Sequence, residues 1–144
     1  MTTENYVSFE TAKLLDANQF YSDECTAIYD NGDYGTFVRD SAIFDYGAED
    51  YLQYMNGDEW KRFGYYLAPT LQMAMKWLRE EHNLHCDISY DFRLGWCIQI
   101  TSLKEVVQDH DTEMKTYLPH KAVNYTTYEE AADAAIKYCL INLI

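Results

Sequence analysis

The sequence predicts an α+β fold: an antiparallel meander of three or more strands, two helices packed on one face, and an acidic N-terminal helix/hairpin segment. Three observations carry this. Apolar residues recur at helical spacing after Pro69 and again after Thr127. Between these stretches the period drops to two, as in half-buried strands. Turn-forming residues separate the alternating runs, so neighbouring strands are antiparallel.

The first helix is predicted at Phe9–Asn18. Ser8 is placed to cap it, and Val7 and Ala12 stand at staple positions. Ala27–Tyr29 and Thr36–Val38 flank the turn-prone Asp30–Gly35, which reads as a hairpin. Ser41–Phe44 is expected to form a short strand and Glu49–Met55 a helical turn. Gly47, Gly57 and Gly64 interrupt anything longer.

Pro69 is expected at the first position of the next helix, where its missing N–H is harmless. Leu71, Ala74, Met75, Leu78 and His82 then share one line, Met73 and Trp77 widen the apolar face, and Asn83 stops the helix. Leu84, Cys86, Ile88, Tyr90 and Phe92 alternate as one strand. Arg93-Leu94-Gly95 turns the chain. Trp96–Leu103 is a second strand with Trp96, Ile98 and Ile100 on one side, extended by Glu105-Val106-Val107, and Glu113–Leu118 a third, ended by Pro119. The last helix has two candidate capping boxes, Thr126 with Glu129 and Thr127 with Glu130. Its stripe of Tyr128, Ala131, Ala132, Ala135, Ile136, Cys139, Leu140 and Leu143 predicts a docked C-terminus.

One domain is expected for 144 residues, with 1–66 as an acidic, Tyr-rich segment and 67–144 as the helix–three strands–helix core. Net charge is −13, and it is uneven. Residues 1–60 hold 13 acids and two bases, whereas residues 61–144 hold 11 acids and nine bases. Nine of the 14 tyrosines lie within residues 1–66. Such charge disfavours direct nucleic-acid binding and docking on an anionic membrane. The N-terminus has no basic-then-apolar leader, and no apolar run approaches the roughly 18 residues of a spanning helix. Cys25, Cys86, Cys97 and Cys139 are therefore expected as buried thiols in a reducing cytoplasm.

Several residue blocks carry a resemblance. Ala68-Pro69-Thr70-Leu71-Gln72, Lys76–Glu80 and Asn83-Leu84-His85 form one. Tyr128-Glu129-Glu130-Ala131 with Ala135-Ile136 and Leu143-Ile144 forms another, and Glu10–Leu15 fits more loosely. Residues 68–144 thus resemble small uncharacterised proteins of gut Bacteroides-type bacteria and their phages and mobile elements. The resemblance implies a cytoplasmic accessory protein of a mobile element and brings no catalytic residue. The order helix–three strands–helix also looks like a double-stranded-RNA-binding domain. Its phosphate-gripping helix would begin with lysines, and here Glu129 and Glu130 stand there.

Candidate chemistry is sparse. His82, His85 and Cys86, with Cys97 as a fourth ligand, are the most metal-like group, weighed against a helix-end histidine and packed cysteines. Asp30–Gly35 and Asp109–Glu113 look like calcium loops but read more simply as turns. No phosphate-cradling glycine loop or G-x-S-x-G elbow occurs, and no catalytic residue or cofactor is expected.

The leading expectation is a non-enzymatic acidic protein-interaction module whose partner is a protein of unknown identity, a basic one being among the candidates. Asp30, Asp33, Tyr34, Asp45, Tyr46, Glu49, Asp50, Tyr51 and Tyr54 are its candidate contact residues. A sharper form is a DNA mimic that occupies the basic groove of a DNA-binding or defence protein. The alternative from another class is a small-molecule binder or enzyme with an aromatic pocket near Trp60, Trp77 and Trp96.

Overall fold

A computed structural model describes residues 6–22, 24–25, 27–32, 35–40, 65–102 and 115–144, with 30–32 and 35–40 described by backbone only. Within these the chain is α+β: three helices and two antiparallel three-stranded sheets. It divides into two compact units, Met1–Met73 and Ala74–Ile144. That boundary falls after the composition break at residue 66. The expected strand at Ser41–Phe44, the helical turn at Glu49–Met55 and the extension at Glu105–Val107 lie outside the described residues.

In the first unit, helix α1 spans Phe9–Ala17. Ser8 is its N-cap, and its hydroxyl accepts from the Thr11 N–H at 3.2 Å. Val7 and Ala12 are both buried, as staple positions require. Strands β1 (Ala27–Gly32) and β2 (Gly35–Asp40) form the expected hairpin, with Gly32 opposite Gly35. A further strand, β3 (Tyr65–Leu67), pairs with the other edge of β1, giving the order β2-β1-β3. Three residues are too few to show a period, which is why alternation does not reveal β3.

Aromatic packing ties α1 to this sheet. The Phe9 ring meets Tyr29 at 5.4 Å and Tyr66 at 5.7 Å, both edge to face, and Lys13 Nζ lies 4.9 Å from its centroid. The Tyr29 hydroxyl donates to the Val7 carbonyl, so a buried polar tip is satisfied.

Helix α2 spans Leu71–His82. Pro69 does not open it. Thr70 stands at the cap, its hydroxyl accepting from the Met73 N–H at 3.2 Å, while the Pro69 carbonyl accepts from the Val7 N–H. Proline, lacking an N–H but keeping its carbonyl, serves here as an acceptor just before the cap. Leu71, Ala74, Met75 and Leu78 are buried as the periodicity predicts. Asn83 ends the helix in the left-handed region, φ 54°.

In the second unit, β4 (Leu84–Asp91), β5 (Gly95–Ser102) and β6 (Lys115–Tyr117) form a meander in that order. Leu84, Cys86, Ile98 and Ile100 are buried on the face that helix α3 (Tyr128–Asn142) covers, packing against both β4 and β5. The predicted alternation of β4 fades outward: Tyr90 is 64% and Phe92 80% exposed.

Of the two capping boxes, the structure takes the second. Thr127 Oγ1 accepts from the Glu130 N–H at 3.1 Å, and Thr126 Oγ1 donates to Glu130 Oε2 at 2.6 Å. Ala131, Ala132, Ala135, Ile136, Cys139 and Leu140 form the buried stripe. The docked C-terminus holds only in part, because Leu143 is half-buried and Ile144 is 45% exposed.

The β4–β5 turn has a strict local requirement. Gly95 has φ +72°, and a Cβ there would stand 3.1 Å from the Tyr125 carbonyl oxygen. Gly95→Ala is therefore expected to destabilise the protein by about 1–3 kcal/mol, read from urea unfolding. Thr127→Ala should cost about 1 kcal/mol through the lost cap.

Glu130 adds a pH dependence. The Thr126 hydrogen bond holds its carboxyl below its ordinary value of 4.5, with the Lys121 charge as a lesser cause. A lowered folded value means a small stabilisation that is present above 4.5 and lost as pH falls through the lowered value. Melting temperatures of wild type and Glu130→Gln should thus differ at neutral pH and converge in acid.

Candidate functional site

The β4–β5 hairpin and the helix beside it carry the most distinctive surface of the second unit. Tyr90 and Trp96 are directly opposite across the strands, and their rings meet edge to face at 5.3 Å. Trp96 meets Tyr128, in the first turn of α3, at 5.6 Å. Each such pair contributes about 0.5–1.5 kcal/mol beyond the area it buries. The three rings form a ladder from the strand edge to the helix start.

Beyond the ladder lies the turn. Asp91 Oδ1 accepts from the Arg93 N–H at 2.7 Å and the Leu94 N–H at 3.1 Å, which holds the turn closed. Phe92 is 80% and Leu94 45% exposed, and the Arg93 guanidinium sits 5.2 Å from the Phe92 centroid. Aromatic, leucine and arginine side chains thus stand together in solvent on a rigid turn. These exposed apolar groups forgo the stabilisation that burial would bring.

The second unit also carries an open cleft of about 500 Å³ beside α3. Ile98, Pro119, Tyr138 and Ile141 supply its apolar lining, and Lys121, Glu130, Asp133 and Lys137 its charges. The Tyr125 hydroxyl donates to the Lys121 carbonyl at 2.8 Å. Burial raises the Tyr125 pKa, and the Glu130 charge adds to it. The lining includes His120, Glu130 and Asp133 as proton-moving groups and no serine or cysteine nucleophile. Neither Trp77 nor Trp96 lines it, so the expected tryptophan pocket is not what this cleft is. Trp77 instead stacks edge to face on His82 at 4.7 Å.

The metal-like residues are not brought together. Strand alternation puts Cys86 on the face under α3 and His85 and Cys97 on the other, because Cys86 pairs with Ile100, His85 with Thr101 and Cys97 with Ser89. His85 and Cys97 are also four rungs apart, roughly 13 Å along the strands. No group of three or more His, Cys, Asp or Glu side chains among the described residues is placed to hold a metal ion.

Cys86 has a different neighbour. Its Sγ lies 3.8 Å from Cys139 Sγ, both buried between β4 and α3. The contact with Cys86 is the main cause that pushes the Cys139 pKa far up, with burial second. None of the four cysteines is in a disulfide, and Cys25 is buried as well.

Of the candidate contact residues, Asp30 lies on β1, opposite Phe37 on β2 and Tyr65 on β3. Asp33, Tyr34, Asp45, Tyr46, Glu49, Asp50, Tyr51 and Tyr54 lie outside the described residues, as does Trp60. The hairpin tip was not among the candidates. Its signal is the alternation itself, which carries Tyr90 and Phe92 up to the turn at Arg93-Leu94-Gly95. No helix among the described residues is long and apolar enough to cross a membrane.

Comparison with protein-family models, curated proteins and solved structures found no match, and lends the resemblance of residues 68–144 no support.

The thiol environments predict an order of reactivity. Cys97 is half-exposed, its thiol 3.4 Å from the Gly95 carbonyl, whereas Cys86 and Cys139 are buried with Cys139 held protonated. Under native conditions an alkylating reagent should label Cys97 first, and Cys86 and Cys139 only after unfolding, as peptide mass spectrometry would show.

Proposed function

We propose that this chain is a non-enzymatic, acidic protein-interaction module that grips its partner with the tip of the β4–β5 hairpin. One observation carries the reading: Tyr90, Phe92 and Leu94 are exposed together on a turn that hydrogen bonds keep rigid. Interfaces are enriched in aromatic and arginine side chains, and a rigid aromatic anchor loses little entropy on binding.

Charge supports the kind of partner. Thirteen of the 24 acids fall in residues 1–60 against two bases, so the chain's field draws basic proteins. The same charge favours a second reading, in which spaced carboxylates imitate the phosphates of DNA. An accessory role in a phage or mobile element belongs to this proposal through the resemblance alone.

Affinity capture from bacterial lysate tests both. A Phe92→Ala variant should lose the partner while staying folded, since Phe92 is 80% exposed and lies outside the ring ladder. Leu118→Ala, at an exposed site elsewhere, should keep it. Exchanging Asp30, Asp33, Glu49 and Asp50 for Asn or Gln should flatten the salt dependence of capture. Release by added duplex DNA is expected only of the DNA-mimic reading.

A further inference from the structure

We infer that the outer edge of β4 takes up an extended peptide in which basic and apolar residues alternate, adding a strand to the three-stranded β4-β5-β6 sheet. This rests on the reading of the β4–β5 hairpin as an interaction surface, and it names the chemistry of the partner.

The backbone geometry decides which groups are on offer. On β5, the N–H groups of Trp96 and Ile98 donate away from β4, to the carbonyls of Tyr125 and Ala122. Successive residues of a strand point their N–H and C=O groups to opposite edges. The intervening residues Gly95, Cys97 and Gln99 therefore make the bonds to β4, through their partners Asp91, Ser89 and Asp87. The N–H and C=O groups of Ile88 and Tyr90 then point outward, away from the sheet. Among the described residues β4 has β5 as its sole strand neighbour.

An edge of this kind is a template for another chain. Its outer half is accessible: Asp87, Ser89, Tyr90 and Asp91 are all exposed. The opposite edge of β5 is already closed by β6 and by residues 122–125.

The two faces of β4 specify the peptide. On one face Ile88 and Tyr90 stand beside Ile98 and Trp96, so an added strand places apolar side chains there. On the other, Asp87, Ser89 and Asp91 stand beside Gln99, Cys97 and Gly95, with no base among them. Asp91 is already engaged by the turn amides. Asp87 is exposed and stands ready for a lysine or arginine on the added strand. Alternation of side chains along a strand turns these two faces into an alternating requirement.

Charge argues against a second copy as the occupant. Two-fold pairing of β4 with itself would place four aspartates on one narrow face, between chains that each carry −13.

The test uses the full chain and a short acetylated peptide of alternating lysine and valine, read by amide hydrogen exchange in NMR. At a peptide concentration about ten times its dissociation constant, exchange at Ile88 and Tyr90 should slow about ten-fold. Asp87 and Ser89, already bonded to β5, should hardly change. The same peptide N-methylated at alternate residues, or with glutamate for lysine, should lose this protection, and Asp87→Asn should weaken binding and its salt dependence. Unchanged exchange at Ile88 and Tyr90, or equal binding of the N-methylated peptide, overturns the proposal. Protection that grows with protein concentration in the absence of peptide overturns it in favour of a second copy. Lysate capture that depends on Phe92 but is not displaced by the peptide also overturns strand addition, while leaving the interaction module standing. Peptide-protected amides with no lysate capture uphold strand addition and count against the partner-binding reading.

Discussion

Strand β5 is hydrogen-bonded along both edges, and the second unit depends on that. On one side it pairs with all of β4, from Leu84 opposite Ser102 to Asp91 opposite Gly95. On the other, β6 covers its C-terminal half and residues 122–125 its N-terminal half. Gly95 makes the second contact possible, because a side chain there would press on the Tyr125 carbonyl. With Tyr125 fixed against Trp96, the chain reaches Thr127 in position to cap α3, and α3 falls onto the face that holds Cys86, Ile98 and Ile100. Two-sided pairing also fixes which backbone groups remain outward. Among the described residues, that leaves the outer edge of β4 without a strand neighbour.

The aromatic content divides between two physical roles. In the first unit, Phe9, Tyr29 and Tyr66 serve cohesion: Tyr29 is buried, its hydroxyl satisfied by a carbonyl, and Phe9 lies between it and Tyr66. In the second unit, the rings pass gradually from packing to solvent, from Tyr128 through Trp96 to Tyr90 and then Phe92. A ring edge-on to a neighbour is held without being covered. The ladder thus keeps the hairpin tip in one conformation while leaving it exposed, which is what a preorganised contact surface needs.

How far the fold was legible depended on whether its cause was local. Ser8, Asn83 and the stripe of α3 could be read directly, since caps and periodicity act within a few residues. Thr126 and Thr127 offered equal spacings, and only the path of residues 122–125 along β5 selects Thr127. Pro69 has the propensity of a first helical residue, yet its carbonyl is needed by Val7, far earlier in the chain. Strand β3 was hidden because three residues state no pattern and its pairing with β1 is entirely non-local. His82, His85, Cys86 and Cys97 looked like a ligand set because sequence proximity ignores alternation. Once β4 is a strand, consecutive residues His85 and Cys86 face opposite ways.

The sequence by itself determined the α+β class, the order of elements from α2 to α3, the identity of the buried apolar stripes and the concentration of acids before Lys61. All of these follow from local propensity and from the need to hide apolar surface. Tertiary structure decided the rest: the pairing of β3 with β1, the meeting of Cys86 with Cys139, the cleft beside α3, the exposed tip of the β4–β5 hairpin and, among the described residues, the unpaired outer edge of β4. These rest on contacts between residues far apart in the chain. Periodicity marks which residues of a strand or helix share a face, but which distant element meets that face is not written in any local pattern.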